Sequence, residues 1–170
     1  MDFKSLIRTV NDFPIKGIEF RDITTVLKDP EGLQASIDQM AEKLKGVDFD
    51  IVIGPESRGF IYGVPLALRT GKGFVPARKP GKLPAETISK SYELEYGTNT
   101  IEIHKDALKP GQRVVIADDL LATGGTCKAV CELIEAAGAT VAGVVFFIEI
   151  EELNGREHLK NYPVHSIVKY

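Results

Sequence analysis

Two adjacent carboxylates, Asp118 and Asp119, stand just ahead of Ala122-Thr123-Gly124-Gly125-Thr126. Like charges so close are costly unless something donates to them. A vicinal diol is such a partner, because an ionised carboxylate only accepts hydrogen bonds and a hydroxyl donates them. The small residues that follow let a ligand approach the backbone. At a helix start, free N–H groups and the helix dipole favour a phosphate, and the hydroxyls of Thr123 and Thr126 add donors. Carboxylates for a diol beside a nest for a phosphate match a phosphorylated ribose. A plain helix cap with solvated aspartates is the competing reading, and the buried-type run Val114-Val115-Ile116 in front of the acids weighs against it. No Gly-Lys-Ser/Thr follows the glycines, so this is not a Walker loop. It also lacks the GxGxxG of a dinucleotide-binding turn.

Positive charge is concentrated in two other places. Arg58 lies in Gly54-Pro55-Glu56-Ser57-Arg58-Gly59, and Arg78, Lys79 and Lys82 lie in Ala77–Lys82. Arginine suits bidentate contact with phosphate oxygens, whereas lysine acts more as a point charge. Read alone, Ala77–Lys82 is equally a solvated loop, Glu95 an exposed strand glutamate and Phe20 a core aromatic.

The elements that must position these residues can be read from periodicity. Asp50–Gly54, Gly73–Pro76 and Arg113–Ala117 are short apolar runs that read as buried strands, and Val141–Ile150 as a long core strand. Asp29-Pro30 reads as a cap followed by a first-turn proline, opening a helix with Leu33, Ile37, Met40, Ala41 and Leu44 on one face and Gly46 as its stop. Phe60–Leu68 is helical with a kink expected at Pro65, and Gly124–Ala137 is an amphipathic helix closed by Gly138. Phe3, Leu6, Ile7 and Val10 suggest a short docking helix over Met1–Val10, and Asn11–Lys28 reads as irregular. Tyr92–Tyr96, Gly97–Thr100 and Ile101–His104 read as strand, turn and strand, and Tyr162–Val168 as an edge strand. Strands alternating with helices predict an α/β protein with a parallel-core sheet flanked by helices. Ligands of such sheets bind at the carboxyl ends of the strands, where Gly54–Gly59, Ala77–Lys82 and Asp118–Thr126 all fall.

A chain of 170 residues suits one domain, residues 1–170, with a sizeable core. The net charge of -3 disfavours nucleic acid as a partner, since it offers no overall attraction to phosphate backbones. The longest apolar stretch, Val141–Ile148, is too short to span a bilayer, so no membrane partner is expected. Met1–Val10 lacks the apolar run of a secretion signal, and a cytoplasmic protein is expected. Cys127 and Cys131 sit four apart on one helix face and read as small buried residues. A disulfide is disfavoured in a reducing compartment.

VVIADDLLATGGT at Val114–Thr126 resembles the motif with which type I phosphoribosyltransferases bind 5-phospho-α-D-ribose 1-diphosphate (PRPP). Five further stretches are similar to the adenine-specific branch of that family: GIEFRDIT at Gly17–Thr24, LKDP at Leu27–Pro30, GPESRGF at Gly54–Phe60, ARKPGKLP at Ala77–Pro84 and YELEYGTNTIEIHKDAL at Tyr92–Leu108. The resemblance covers nearly the whole chain. It implies the type I phosphoribosyltransferase fold, with a small N-terminal hood (about 1–28) and a flexible hairpin lid (about 77–108) inserted in the core. It implies a reaction of adenine with PRPP to give AMP and diphosphate in purine salvage, with Mg2+ held mainly by PRPP, and a homodimer.

The resemblance also implies roles. Asp118, Asp119, Ala122, Thr123, Gly124, Gly125 and Thr126 would bind the ribose phosphate. Glu56, Ser57, Arg58, Arg78, Lys79 and Lys82 would face the diphosphate, with a cis peptide between Glu56 and Ser57. Phe20 and Leu120 would sandwich the adenine while the Arg21 backbone meets its edge. On the lid, Tyr96 would follow Glu95, and Glu95 would assist proton removal from the purine; Glu95 and Arg58 are the catalytic candidates. Ala122 stands where the related 6-oxopurine enzymes usually carry an aspartate, which argues against hypoxanthine or guanine. A PRPP-sensing regulator of the same fold would be expected to have a degraded lid or an added DNA-binding segment, and transfer to another base is the remaining alternative.

Overall fold

The computed structural model describes residues 1–94 and 97–170. At its centre lie three strands that are apolar on both faces: β3 (Ile51–Pro55), β7 (Arg113–Leu121) and β8 (Thr140–Glu149). Such strands must be covered on both sides. With β4 (Gly73–Ala77) and β9 (Val164–Lys169) at the edges, they form a sheet of order β4-β3-β7-β8-β9 in which every neighbouring pair is parallel.

The two faces carry separate cores. On one, Val52, Val115, Val145 and Phe147 pack against α1 (Phe3–Leu6), α2 (Thr24–Leu27), α3 (Pro30–Lys43) and α4 (Arg58–Thr70). Phe147 stacks on Tyr62 and meets Phe3 edge-on, each at 5.1 Å between ring centres. On the other, Ile53, Ile116, Val144 and Phe146 pack against α5 (Gly125–Ala136) and against Ile101 and Ile103 of an antiparallel hairpin. That hairpin pairs β5 (Thr87–Leu94) with β6 (Gly97–His104).

Several expected elements form as read. Asp29 accepts from the Gly32 N–H at 3.0 Å, with Pro30 in the first turn of α3. The helix α4 contains Pro65 and ends on Gly71, whose φ of 68° only glycine adopts without strain. Both cysteines are buried and unpaired. Among the described residues, no helix is long and apolar enough to cross a membrane.

Four expectations need correction. The N-terminal helix is a single turn, and Val10 lies instead in β1 (Arg8–Asn11). Its partner is β2 (Glu19–Asp22), inside the stretch expected to be irregular, which also holds α2. One turn is enough to bury Phe3 and Ile7, and the β1–β2 ladder then takes over the backbone. Gly97–Thr100 is strand rather than turn, and β5 starts at Thr87. Polar residues on both faces of this hairpin hide its alternation. The strand β7 continues through Asp118 and Asp119 to Leu121, because β8 offers ladder partners that far. Two 3-10 turns, Glu151–Leu153 and Gly155–Leu159, carry the chain from β8 to β9 and have no periodic signal.

The aromatic contact between the layers gives a stability test. Phe147→Ala removes a fully buried ring held between two others, and is expected to cost about 3–5 kcal/mol, read as a lower midpoint in urea unfolding.

Candidate active site

The carboxyl ends of β3 and β7 and the first turns of α4 and α5 surround one cleft of about 290 Å³. Close approach at its floor depends on two glycines. A Cβ on Gly54 would stand 2.5 Å from the Gly59 carbonyl oxygen, and one on Gly59 would stand 2.7 Å from Pro55 and 3.1 Å from Asp118 Oδ1. Bare backbone at both positions lets the start of α4 settle against the acidic end of β7. The Glu56–Ser57 peptide between them is cis.

Asp119 is 6% exposed and lies 2.6 Å from Arg58 Nε. Asp118 Oδ1 accepts the Asp119 N–H at 2.8 Å. Burial, then the neighbouring Asp119 charge, pushes the Asp118 carboxyl well above the usual carboxylate range. Burial raises Asp119 as well, and the Arg58 guanidinium opposes that rise. Arg58 also faces the Phe20 ring at 5.8 Å, so its charge lies between the acid pair and the N-terminal strands.

Beyond the acids, Ala122, Thr123, Gly124, Gly125 and Thr126 line the same cleft. Gly124 takes φ 85° as the residue before α5, and no side chain caps that helix start. Its first N–H groups are therefore available to an anion. Thr126 Oγ1 sits 3.0 Å from the Tyr92 hydroxyl on β5, joining the hairpin to this loop.

The basic cluster is arranged differently from the reading of the residues. Glu56 Oε1 accepts from the Lys79 N–H at 2.7 Å and from Arg78 Nε at 3.3 Å. The Glu56 N–H donates to Ala77 O at 2.8 Å. Glu56 thus organises the cations by its carboxylate. Glu56, Ser57 and Arg58 line the cleft, whereas Arg78, Lys79 and Lys82 stand outside its lining, with Lys79 and Lys82 exposed.

A second cleft of about 580 Å³ is bordered by Phe20, Arg21, Leu120, Ala122, Leu153 and Tyr170. Leu120 and Ala122 border both clefts. Phe20 projects from β2 and packs edge-on against Phe13 at 5.2 Å. The Arg21 side chain donates to Thr9 Oγ1 at 2.6 Å and to Glu19 Oε2 at 2.7 Å, and stacks 4.1 Å from the Tyr170 ring. Glu95 and Tyr96 lie outside the described residues. Tyr92 and Tyr170 escaped the reading of the sequence. Tyr92 opens the Tyr92–Leu108 stretch but drew no role of its own, Tyr170 belongs to no local pattern, and each meets its partner across a long stretch of chain. Among the described residues, no three His, Cys, Asp or Glu side chains gather into a protein-only metal site.

The family model for the phosphoribosyl transferase domain matches residues 22–168. The adenine phosphoribosyltransferase of Clostridium perfringens is 59% identical over 170 residues, covering 100% of this chain and 99% of that protein. That of Acetivibrio thermocellus is 60% identical over 171 residues, covering 100% of both. A crystal structure of adenine phosphoribosyltransferase from Thermoanaerobacter pseudethanolicus superposes with a TM-score of 0.96 at 55% identity, over 98% of this chain and 97% of that one. The Saccharomyces cerevisiae enzyme, solved with an imino-altritol bisphosphate and adenine, superposes at 0.91 with 40% identity over 96% and 95%.

The buried acid pair gives a test that needs no substrate. Arg58→Gln removes the charge that opposes protonation of Asp119. The carboxyl signal of Asp119 in a carbon-13 NMR titration is then expected to shift its midpoint to higher pH than in the parent protein. An unmoved midpoint would mean that Arg58 does not hold this carboxylate in solution.

Proposed function

The chain belongs to the phosphoribosyl transferase domain family, and from that membership and the site we infer that it is an adenine phosphoribosyltransferase. It is a pentosyltransferase that joins adenine to the phosphoribosyl group of PRPP, forming AMP and releasing diphosphate. The observation that carries this reading is the junction of a polar cleft and a largely apolar one at Leu120 and Ala122. A nucleotide has the same division, with a charged sugar phosphate on one side and a flat base on the other.

In this proposal the chain is one domain, with a hood near residues 1–28 and a lid near 77–108. Asp118 and Asp119 accept hydrogen bonds from the ribose hydroxyls, and the N–H groups and hydroxyls of residues 122–126 hold the 5'-phosphate. Arg58, Arg78, Lys79 and Lys82 face the departing diphosphate, with Glu56 and Ser57 shaping that wall. Phe20 and Leu120 enclose the adenine, and the Arg21 backbone meets its edge. As the purine nitrogen bonds to the sugar carbon, the carbon–oxygen bond to diphosphate breaks with its electrons leaving on the diphosphate. Glu95 accepts the proton released from the purine, with Tyr96 beside it on the lid. The closed lid excludes water from the electron-poor sugar carbon.

Two adjacent carboxyls, one half-buried and one buried and engaged by Arg58, suit a cation shared with substrate oxygens rather than a cage of protein ligands. Mg2+ held mainly by PRPP would neutralise charge on the leaving diphosphate. We further propose a cytoplasmic homodimer. Exposed apolar residues support the pairing, both Ile61, Val64 and Leu68 along α4 and Phe13, Ile15 and Ile18 near the hood.

Incubation of protein, Mg2+ and PRPP with each base tests the assignment. AMP is expected from adenine, with kcat/KM for hypoxanthine and guanine lower by about a hundredfold or more. No AMP from adenine would overturn the function. Glu95→Gln is expected to lower kcat by roughly 10²–10⁴-fold, and undiminished turnover would remove Glu95 from the proton step.

A further inference from the structure

One ionic cluster, built around a buried carboxylate and a half-exposed arginine, has no part in the chemistry above. Glu149, the last residue of β8, is 4% exposed. Arg156, in the second 3-10 turn, grips it with two nitrogens, Nε to Oε1 at 2.6 Å and Nη2 to Oε2 at 2.7 Å. The same guanidinium donates to the Val164 carbonyl at 2.9 Å and to Ser166 Oγ at 3.2 Å. Ser166 Oγ in turn donates to Glu149 Oε2 at 2.6 Å. One side chain therefore joins the end of β8, the strand β9 and the connection between them. A buried ion pair is weak evidence for stability, because desolvation offsets its attraction. A bidentate pair with two further bonds does fix direction and distance.

What it fixes is the residue next to it. Gly155 is buried, and its backbone lies directly on the loop at residues 122–124. A Cβ on Gly155 would overlap the Ala122 carbonyl oxygen and stand 2.7 Å from Leu121 Cδ1. From the other side, a Cβ on Gly124 would stand 2.5 Å from the Gly155 carbonyl oxygen. The chain reaches this contact through Asn154 at φ 53°, a left-handed turn. The near end of the connection is tied by the Ile150 N–H to Leu121 O at 3.0 Å. The loop thus has a backbone wall behind it, with Ile150 anchoring one end of that wall and Arg156 the other.

We propose that Arg156, acting through Glu149, is a positioning residue for the ribose-phosphate loop. It holds the Gly155 backbone against residues 122–124 and so sets the aim of the N–H groups that receive the 5'-phosphate. The inference rests on the proposed reading of that loop as a phosphate cradle. Arg156 touches no substrate. Its larger effect falls on the phosphate end, where Gly155 abuts residues 122–124, whereas the base cleft, which the same connection borders through Ile150, Glu152 and Leu153, is also walled by Phe20, Leu120 and Tyr170.

Two variants separate this role from a merely structural one. Arg156→Lys keeps the charge beside Glu149 and loses the fork. Gly155→Ala leaves the ion pair and wedges a methyl group against the loop. Each is compared with the parent protein by circular dichroism and melting temperature, by calorimetric Kd for AMP, and by KM for PRPP and for adenine. The expected result is folded protein whose Kd for AMP and KM for PRPP rise about tenfold or more, with KM for adenine within about twofold. Folded variants that bind AMP as the parent does would overturn the proposal, and so would equal losses for PRPP and adenine. Should Gly155→Ala fail to fold, Arg156→Lys alone decides. A parent protein that forms no AMP would instead overturn the function on which the proposal rests.

Discussion

Two neighbouring carboxyl groups, Asp118 half-buried and Asp119 buried, stand at the far end of a parallel strand, and the site is built around the cost of keeping them there. Neither Asp118 nor Asp119 can lose its contact with water cheaply. Arg58 supplies one compensating charge, and the Asp119 backbone N–H supplies a bond to its neighbour. The first depends on α4 beginning very near β7, which in turn depends on two positions without side chains, Gly54 and Gly59. A cation, a pair of acids and an uncapped helix start then share a few ångströms of cleft. That concentration of opposite charges suits a ligand carrying both hydroxyls and phosphates.

The second cleft complements the first. Its walls come from β2, from the segment after β8 and from the C-terminal residue, elements far apart in the chain. Leu120 and Ala122 belong to both spaces, one projecting from β7 and one from the loop beyond it. The small side chain at Ala122 leaves this junction uncharged. An aspartate there would bring a third carboxylate into the cleft of Asp118 and Asp119.

Much of the frame was legible because it follows local rules. Buried apolar strands, the Asp29-Pro30 helix start and the glycine-rich turn into α5 each carry their signal within a few residues. The resemblance to phosphoribosyltransferases also anticipated the cis peptide at Glu56–Ser57, which no periodicity could have suggested. The strands of the hood were missed and the bounds of the hairpin, though not its existence, were misplaced for a physical reason. Their strands expose polar groups on both faces, and they are specified by partners rather than by alternation. The contacts of the Glu56 carboxylate with Arg78 and the Lys79 backbone had no local signal either, because they join segments more than twenty residues apart. Gly155 is the extreme case. It sits in a connection with no pattern, and its importance comes from a backbone contact with a loop some thirty residues away.

The strand pairings also divide the molecule by how each part can come apart. Every pair in the five-stranded sheet joins segments separated by a crossover, so no single ladder there can open without disturbing a packed layer. The two antiparallel pairs, β1–β2 and β5–β6, are separate small sheets of their own. They border the second cleft and the loop at residues 122–126, and their pairing is local in the chain. Amide hydrogens of β1–β2, and of the exposed end of β5–β6 away from the buried Ile101 and Ile103, can exchange through small, cheap openings while the parallel sheet remains shut. Loosening at that periphery leaves the Asp118–Asp119 end of β7 held in its ladder with β8.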